Sequence, residues 1–232
     1  MRYEEFTIEG RNAVIEAYRA GRPIDKLFIL DGCQDGPILT IKREAKAKQT
    51  PVKFVTKERL DQLSETGKHQ GVIAYAAAYE YATVEEILDN ARQKGEAPFL
   101  FLLDNIEDPH NLGAIIRTAN LAGAHGVIVP KNRAAGLTAV VAKTSAGALN
   151  FTPVARVTNL AKTIEELKKE GIWFVCADMG GTTMYDLNLK GPIGLVIGNE
   201  GEGVGRLVKE KCDMVASIPM KGDIDLSLIH IS

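Results

Sequence analysis

Short apolar runs alternate with amphipathic helical patterns along the chain, and this alternation limits the possible folds more than any other feature. Buried-strand patterns lie at 99–103, 126–129, 173–177 and 193–197, with helical patterns between them. Parallel strands need such crossover connections, and the connecting helices cover both faces of the sheet. We therefore predict an α/β fold with a mostly parallel sheet.

The alternation divides the chain into two units. A small α/β unit of residues 1–78 precedes a linker and opening helix at 79–96, for which Thr83 is the predicted N-cap. The larger unit covers residues 97–225. The remaining predicted helices lie at 11–19, 38–47, 57–63, 111–121, 138–148, 161–170 and 204–211, and the remaining strands at 26–30, 52–55, 71–78, 151–157 and 214–218.

The composition excludes several classes of protein. The chain has 232 residues, a net charge of −2 and 45% hydrophobic residues. Its apolar runs are shorter than the roughly 18 residues of a membrane span, and its acidic amino terminus lacks the apolar region of a signal peptide. The three cysteines lie far apart without metal-ligand spacing, which favours reduced thiols. We expect a cytoplasmic protein with no metal and no membrane partner.

Seven lysines and arginines lie close together in the first unit. A basic run on one unit is compatible with phosphate contacts to a nucleic acid, although a solvated helix face is its commoner cause. The residues are Lys42, Arg43, Lys46, Lys48, Lys53, Lys57 and Arg59.

Residues 193–204 read IGLVIGNEGEGV, an apolar strand pattern that ends in Gly198 and continues into the polar, glycine-rich residues 199–203. Glycines remove Cβ atoms where backbone bends sharply or approaches a ligand closely. Open α/β sheets bind ligands at the carboxyl ends of their strands, so this segment is a candidate binding loop. Taken alone, it is equally consistent with a strand-to-helix turn that has acidic caps.

A second polar segment, DNIEDPHN at 104–111, follows the first strand of the larger unit. We predict that Asn111 caps the next helix. The apolar positions of that helix follow i, i+3, i+4, i+7, which leaves Arg117 on a separate face with Gly113 and Asn120. Taken alone, Arg117 is more readily interpreted as a surface arginine paired with a nearby acid.

Three segments in order resemble the motifs of one family. LLDNIEDPHNLGAIIRTAN, IGLVIGNEGEGVG and IPMKG resemble motifs 1, 2 and 3 of the SpoU/TrmH family, RNA ribose 2′-O-methyltransferases of the SPOUT class. GRNAV at 10–14 and HQGV at 69–72 resemble that family's L30e/L7Ae-like RNA-binding domain. The domain pairing is most similar to the 23S ribosomal RNA guanosine 2′-O-methyltransferases, and the resemblance covers residues 4 to about 225.

The resemblance implies a fold, a cofactor and a set of site residues. It implies a parallel sheet with a carboxyl-terminal trefoil knot, S-adenosylmethionine bound in the knotted loops, a homodimer and an RNA substrate. Catalytic roles are implied for Arg117, Asn111 and Glu200. The implied cofactor contacts are Gly198, Asn199, Gly201, Gly203, Ile218 and Leu228, and the implied RNA contacts are Arg11, Asn12, His69 and Gln70.

The chemistry suits these residue types. A ribose 2′-hydroxyl is a poor nucleophile and must lose its proton as it attacks the methyl group of a sulfonium. Arginine is cationic and no ordinary base, so Arg117 is expected to orient or activate the hydroxyl with help from an RNA phosphate. The sulfonium is already electrophilic, so no metal is required. We expect His110 to be structural, His69 to contact RNA or hold a turn, and Cys176 to lie in the core, while residues 178–183 are a candidate wall of the cofactor site.

The carboxyl-terminal segment departs from the family pattern. Motif 3 normally continues into Ser-Leu-Asn and a helix, but Ile229 stands at the asparagine position. The string LSLIHIS at 226–232 is also one translation of a common transposase sequencing adaptor. We therefore expect a foreign tail, an incomplete knot and a chain with little or no activity. Native codons running on from this string at the genomic locus would contradict that expectation.

Three alternatives remain open at this point. The same chemistry on transfer RNA differs only in substrate. A non-catalytic RNA-binding protein would fit a decayed site, although the presence of Asn111, Arg117 and Glu200 favours an enzyme. A nucleotide-phosphate enzyme is disfavoured because the glycine spacing at 198–203 is not GxGxxG and no Walker lysine follows.

Overall fold

The computed structural model describes residues 6–77 and 79–219, which form two compact units. The first unit extends to residue 80 and also includes residues 136–139. The predicted knot, the contact by Leu228 and the predicted foreign tail at 226–232 lie outside the described residues.

The first unit is a four-stranded mixed sheet with three helices. The strand order is β1-β4-β2-β3, in which β3 is parallel to β2 and the other pairs are antiparallel. The sequence patterns did not predict β1, and β4 is shorter than expected. The strands are β1 (Phe6–Glu9), β2 (Ile24–Leu30), β3 (Val52–Val55) and β4 (Val72–Ala76), and the helices are α1 (Arg11–Arg19), α2 (Gly36–Ala47) and α3 (Lys57–Leu63).

The core of this unit lies between the sheet and helices α1 and α2. Val14, Ile38 and Ile41 are fully buried on these helices and pack with Leu27 and Ile29 of β2. The helical and strand periodicities therefore bring apolar side chains of both helices and of the central strand into one core.

The second unit is a six-stranded parallel sheet with the order β10-β8-β9-β5-β6-β7. This order confirms the predicted α/β fold with a mostly parallel sheet. The strands are β5 (Phe99–Leu103), β6 (Gly126–Pro130), β7 (Val154–Val157), β8 (Trp173–Thr183), β9 (Ile193–Ile197) and β10 (Met214–Ser217). The helices are α4 (Val84–Lys94), α5 (Pro109–Leu121), α6 (Ala139–Thr144), α7 (Leu160–Lys169) and α8 (Arg206–Lys209).

Alternate side chains of the strands face one large cluster beneath α4, α7 and α8. Leu100 and Leu102 of β5, Phe174 and Cys176 of β8, and Val196 of β9 are buried there. The prediction that Cys176 belongs to the core is confirmed. Thr83 caps α4 with a complete capping box, also as predicted, because its side chain and that of Glu86 each accept a backbone N–H of the other residue.

Several predicted element ends in this unit are wrong. Asp108, not Asn111, is the N-cap of α5, because its carboxylate accepts the backbone N–H of His110 at 2.7 Å and Pro109 occupies the first turn. The helix predicted at 138–148 ends at Thr144, because Ala146 and Gly147 are left-handed, with φ of 50° and 89°. A short 3₁₀ turn follows at Ala148–Asn150. Helix α8 is only one turn long, and β8 is six residues longer than predicted.

Candidate active site

Strands β5 and β9 are neighbours, so the two polar segments that follow them meet at one edge of the sheet. Leu103 is paired with Ile197, and the backbone N–H of Asp104 donates to the carbonyl of Ile197 at 2.8 Å. The carboxyl ends of parallel strands are the usual ligand-binding edge of such a sheet. The observed strand pairing therefore brings together the two polar segments that the sequence analysis placed at this edge.

The residues from Gly198 to Gly203, here called the glycine loop, form a tight closed turn. Asn199 and Gly203 exchange two backbone hydrogen bonds, at 3.1 and 2.8 Å. The side-chain Oδ1 of Asn199 also accepts the N–H of Gly201 at 2.7 Å. A Cβ atom on Gly198 would overlap the backbone of Gly203, and Gly203 itself has a φ of 68°. Glycine is therefore required at position 198 for space and favoured at position 203 for its backbone angle.

Two residues after β5 hold the glycine loop and Gly205, which follows the loop, in place. The carbonyl of Asn105 accepts the side-chain Nδ2 of Asn199 at 3.2 Å. The carboxylate of Asp104, which is buried, accepts the N–H of Gly205 at 2.8 Å. Asn105 adopts a left-handed φ of 59°, a conformation that asparagine tolerates better than most residues. Sequence reasoning did not select Asp104 or Asn105 as site residues, although their position directly after a buried strand was a usable signal.

Two of the three predicted catalytic residues, Asn111 and Glu200, lie together. The side-chain Nδ2 of Asn111 donates to a carboxylate oxygen of Glu200 at 2.6 Å. Asn111 is free to make this bond because Asp108 caps α5 in its place. The contact joins the start of α5 to the glycine loop, 89 residues further along the chain.

Arg117 lies six residues further along α5 and is half-buried. Among residues 6–77 and 79–219 its guanidinium has no hydrogen-bond or ion-pair partner, so neither kind of bond joins it to Asn111 or Glu200. The sequence suggested that Arg117 shares an open polar helix face with Gly113 and Asn120. In the structure that face is not open. Gly113 packs closely against Thr144, and Asn120 donates to the hydroxyl of Thr152 at 3.0 Å.

An apolar groove of about 460 Å³ lies on the sheet face opposite the buried cluster, because its strand residues alternate with those of the cluster. Ile218, a predicted cofactor contact, is one of its walls and is 41% exposed. The predicted contacts in the glycine loop do not line this groove. The other lining residues are Phe99, Val175, Ala177, Met184, Leu189, Gly191, Ile193, Leu195 and Ala216.

Residues 178–183, the candidate further wall, extend β8 and pair with β10. Thr182 and Thr183 lie beside Ala216 and Ser217 after a break in the register. Asp178 forms an ion pair with Lys209 of α8 at 2.7 Å, and the hydrogen bond from Lys209 lowers the pKa of the Asp178 carboxyl. This stretch therefore anchors α8, the helix that follows the glycine loop.

The predicted RNA contacts of the first unit also form a cluster. The Nε of Arg11 donates to the carbonyl of Gln70 at 3.0 Å, and its guanidinium pairs with Asp35 at 2.8 Å. Asn12 is exposed on α1. The imidazole of His69 is buried, where its Nδ1 accepts the N–H of Gly71 at 3.0 Å. His69 therefore holds the turn, which was one of its two predicted roles.

The described part of the chain has no helix long and apolar enough to cross a lipid bilayer. Within the same residues, no group of three or more histidine, cysteine, aspartate or glutamate side chains could bind a metal.

Comparison with known proteins decides the family. Residues 98–228 match the SpoU rRNA Methylase family. The chain belongs to this family. Residues 7–82 match a second family, described as RNA 2′-O ribose methyltransferase substrate binding. The family that the three sequence motifs predicted is thus confirmed.

Curated relatives match nearly the whole length of this chain. A protein of Bacillus subtilis described as a TrmH family tRNA/rRNA methyltransferase is 48% identical over 217 residues, which cover 93% of this chain and 86% of that protein. A Staphylococcus saprophyticus protein of the same description is 45% identical over 223 residues and covers 96% and 89%.

Solved structures of the family share the fold. The SpoU methyltransferase AviRb from Streptomyces viridochromogenes, in complex with AdoMet, has a TM-score of 0.58 at 24% identity and covers 98% of this chain and 86% of that one. An AdoMet-bound rRNA methyltransferase from Sinorhizobium meliloti has the same TM-score and identity and covers 98% and 84%. At this identity these structures support the fold.

Proposed function

We propose that this SpoU family RNA methyltransferase transfers a methyl group from S-adenosylmethionine to the ribose 2′-hydroxyl of a guanosine in 23S ribosomal RNA. The observation that carries the proposal is the hydrogen bond between Asn111 and Glu200, which joins the two motif segments at one sheet edge. Arg117 lies on the same helix as Asn111 and has no partner among the described residues. The substrate-binding match over residues 7–82 supports a ribose 2′-hydroxyl as the acceptor.

Ribosomal RNA is favoured over transfer RNA by the extent of the structural matches. Two structures described as tRNA-modifying or as methylating tRNA cover 59% and 58% of this chain, whereas the rRNA methyltransferase of Sinorhizobium meliloti covers 98%. Transfer RNA remains the second candidate substrate, because the curated relatives are described as tRNA/rRNA methyltransferases.

The residues present fit S-adenosylmethionine. A nucleoside with a charged amino-acid tail needs an apolar slot together with a few convergent polar groups. The groove at Ile218 offers an apolar surface, and the glycine loop, which does not line that groove, offers the backbone carbonyls of Gly198, Asn199, Gly201 and Gly203. When bound, the cofactor supplies an electrophilic methyl group on its sulfonium.

The side chains of the site have separate roles in the proposed reaction. Glu200 fixes the amide of Asn111, which turns the Oδ1 of that amide into an oriented acceptor for a substrate hydroxyl. Arg117 keeps five N–H donors available for the reacting oxygen or an adjacent RNA phosphate, and the proton of the hydroxyl leaves to that phosphate or to water as the methyl group is transferred. Asp104 and Asn105 act as positioning residues through the glycine loop.

Methyl transfer from radiolabelled S-adenosylmethionine tests the proposal. The acceptors are transcribed 23S rRNA fragments and bulk tRNA, and nuclease digestion with mass spectrometry locates the methyl group. We expect 2′-O-methylguanosine in an rRNA fragment and a fall of about 10²–10³-fold in kcat for Arg117→Ala. Arg19→Ala, which removes an exposed arginine of the first unit, serves as the control and should retain activity.

The assay is run on the 232-residue chain and on the product of the genomic reading frame, so that any effect of residues 226–232 is separated from the activity of the site. A base-methylated product, or full activity of Arg117→Ala, would contradict the proposal. The homodimer and cytoplasmic location implied above belong to the same proposal, and sedimentation and cell fractionation measure them.

A further inference from the structure

Phe54 is an exposed aromatic side chain on an edge strand of the first unit. It lies on β3, the last strand in the order of its sheet, and its side chain is 55% exposed. An exposed phenylalanine on a sheet edge is costly, because it leaves apolar area in water and invites association. The side chains around Phe54 indicate which kind of ligand could cover its ring.

The surroundings of Phe54 are cationic. The Nζ of Lys42 lies 5.0 Å from the centroid of the Phe54 ring, within the range of a cation–π interaction. Leu39 and Lys46 lie three residues before and four residues after Lys42 on α2, so the three side chains share one helix face. We refer to Leu39, Lys42, Lys46 and Phe54 as the α2–β3 face.

Among the described residues, neither lysine of this face forms an ion pair. Asp35 is engaged by the guanidinium of Arg11 and by the N–H of Ile38 at the start of α2. An apolar area of only two side chains beside two lysines is small for a protein interface. The α2–β3 face has a size and charge that match one nucleotide, which combines a flat base with an anionic phosphate.

The α2–β3 face is continuous with the predicted RNA contacts. The Nζ of Lys42 also donates to the carbonyl of Cys33 at 2.9 Å. Cys33 in turn lies beside the guanidinium of Arg11, whose Nε holds the carbonyl of Gln70. A chain of contacts therefore runs from the two RNA-binding motifs to Phe54 within one unit.

We propose that the α2–β3 face binds an unpaired nucleotide of the RNA substrate, with its base against Phe54 and its phosphates beside Lys42 and Lys46. This inference rests on the proposed function, since it requires an RNA substrate. It adds a stacking contact that the sequence motifs do not contain. Stacking of a base on an aromatic ring tolerates any base, so the face contributes affinity and strand path rather than sequence selection.

Fluorescence anisotropy with two labelled RNAs tests the base contact. One RNA is an oligoadenylate of about 12 nucleotides, a length within the site sizes of single-strand binders, and the other is an abasic RNA of the same length and charge. The full chain should bind the oligoadenylate more tightly. Phe54→Ala should lose about 5-fold or more of that affinity while its binding to the abasic RNA stays unchanged.

Two further variants separate the stacking from the charge. The double variant Lys42→Ala/Lys46→Ala should weaken binding of both RNAs and reduce the salt dependence of log K by about 1.4, for two phosphates. Phe54→Trp in a Trp173→Phe background should retain binding, and its fluorescence should be quenched by oligoadenylate. Phe151→Ala, which removes a phenylalanine that is 78% exposed in the second unit, is the matched control and should keep its affinity unchanged.

Kinetics distinguish failure of this inference from failure of the proposed function. In the methyl transfer assay Phe54→Ala should raise KM for RNA and keep kcat, whereas Arg117→Ala lowers kcat. Equal affinity of Phe54→Ala and the parent chain for oligoadenylate overturns the inference and leaves the proposed function intact. If the tryptophan fluorescence of the Phe54→Trp variant is quenched by increasing protein concentration without RNA, the inference is overturned in favour of a contact between two copies of the chain.

Discussion

The two units treat their motif arginines in opposite ways. In the first unit, Arg11 holds the carbonyl of Gln70 and pairs with Asp35, so its guanidinium is part of the scaffold. In the second unit, Arg117 has no partner among the described residues, and the scaffold is built by Asp104 and Asn199 instead.

The difference between the two arginines indicates which side chains in each unit are available to react or to bind a substrate. A guanidinium that is already bonded must give up those bonds before it can bind a substrate, whereas one without partners can bind at once. In the second unit the motif arginine is therefore the available group. In the first unit the available groups, Phe54 and Lys46, lie on the α2–β3 face, outside the motif. The variants below test this contrast through their effects on the free energy of unfolding.

The largest expected effect concerns the glycine loop. Gly198→Ala should lower the free energy of unfolding by about 2–4 kcal/mol, because the new Cβ overlaps the backbone of Gly203, which cannot move away as a side chain can. Urea denaturation followed by the fluorescence of Trp173, the one tryptophan of the chain, reports on the second unit.

Gly201→Ala is the matched control in the same loop. A Cβ at this position would meet only the side-chain Oδ1 of Asn199, at 3.4 Å, so the change should cost less than about 1 kcal/mol. Equal losses for the two alanine variants would show that the loop is not held as tightly as its hydrogen bonds indicate.

The next effect concerns the buried carboxylate of the second unit. Asp104→Ala leaves the N–H of Gly205 without its acceptor, and we expect a loss of about 1–3 kcal/mol in the same fluorescence assay. Asp104→Asn keeps an oxygen of similar position and should recover part of that loss. If the alanine and asparagine variants are equally stable, the hydrogen bond does not support the loop.

A carboxylate of the first unit gives a smaller, pH-dependent effect. Burial opposes ionisation of Glu9, but hydrogen bonds from Ser64 and Thr66 and from the backbone of Glu65 and Thr66 outweigh it and lower its pKa to about 2. The pKa is lower in the folded state than the unfolded value of about 4.3, so the contribution to stability is present above that pH and is lost as the pH falls toward 2.

Glu9→Gln should therefore cost about 1–2 kcal/mol at pH 7, after allowance for solvent screening. The difference from the parent chain should shrink steadily as the pH falls from about 4.5 to about 2. Amide hydrogen exchange of α1 and β4 measures it, because Trp173 lies in the other unit. A difference that stays constant over this pH range would contradict the assignment to the Glu9 carboxylate.

Local patterns predicted the elements better than they predicted the site. The bounds of α1, α3, β3 and β5 match the sequence prediction, because their apolar periodicity and their caps lie within one element. Strand β1 was missed although FTIE alternates apolar and polar residues, because the run is only four residues long and its partner β4 lies far along the chain. The early end of α6 had a local cause in Gly147, which the prediction placed inside the helix.

The site depends on contacts that no local pattern reports. The bond between Asn111 and Glu200 joins residues 89 positions apart, and that between Asp104 and Gly205 joins residues 101 positions apart. Family resemblance identified Asn111 and Glu200, but the N-cap role assigned to Asn111 was wrong, because a preceding Asp-Pro pair offers a better cap. Whether an arginine is engaged, as Arg11 is, or available, as Arg117 is, follows from tertiary contacts alone.

The smallest expected change in stability is therefore the sharpest test of the contrast. Arg11→Ala removes the hydrogen bond to Gln70 and should cost about 1 kcal/mol, seen as faster amide exchange in the first unit. Arg117→Ala removes no bond to a described residue and should change the free energy of unfolding by less than about 0.5 kcal/mol in the Trp173 assay. A loss at Arg117 as large as that at Arg11 would mean that its guanidinium supports the fold, and it would then be a structural arginine like its counterpart. An unchanged stability, combined with the expected fall in kcat, would show that position 117 serves the reaction and not the scaffold.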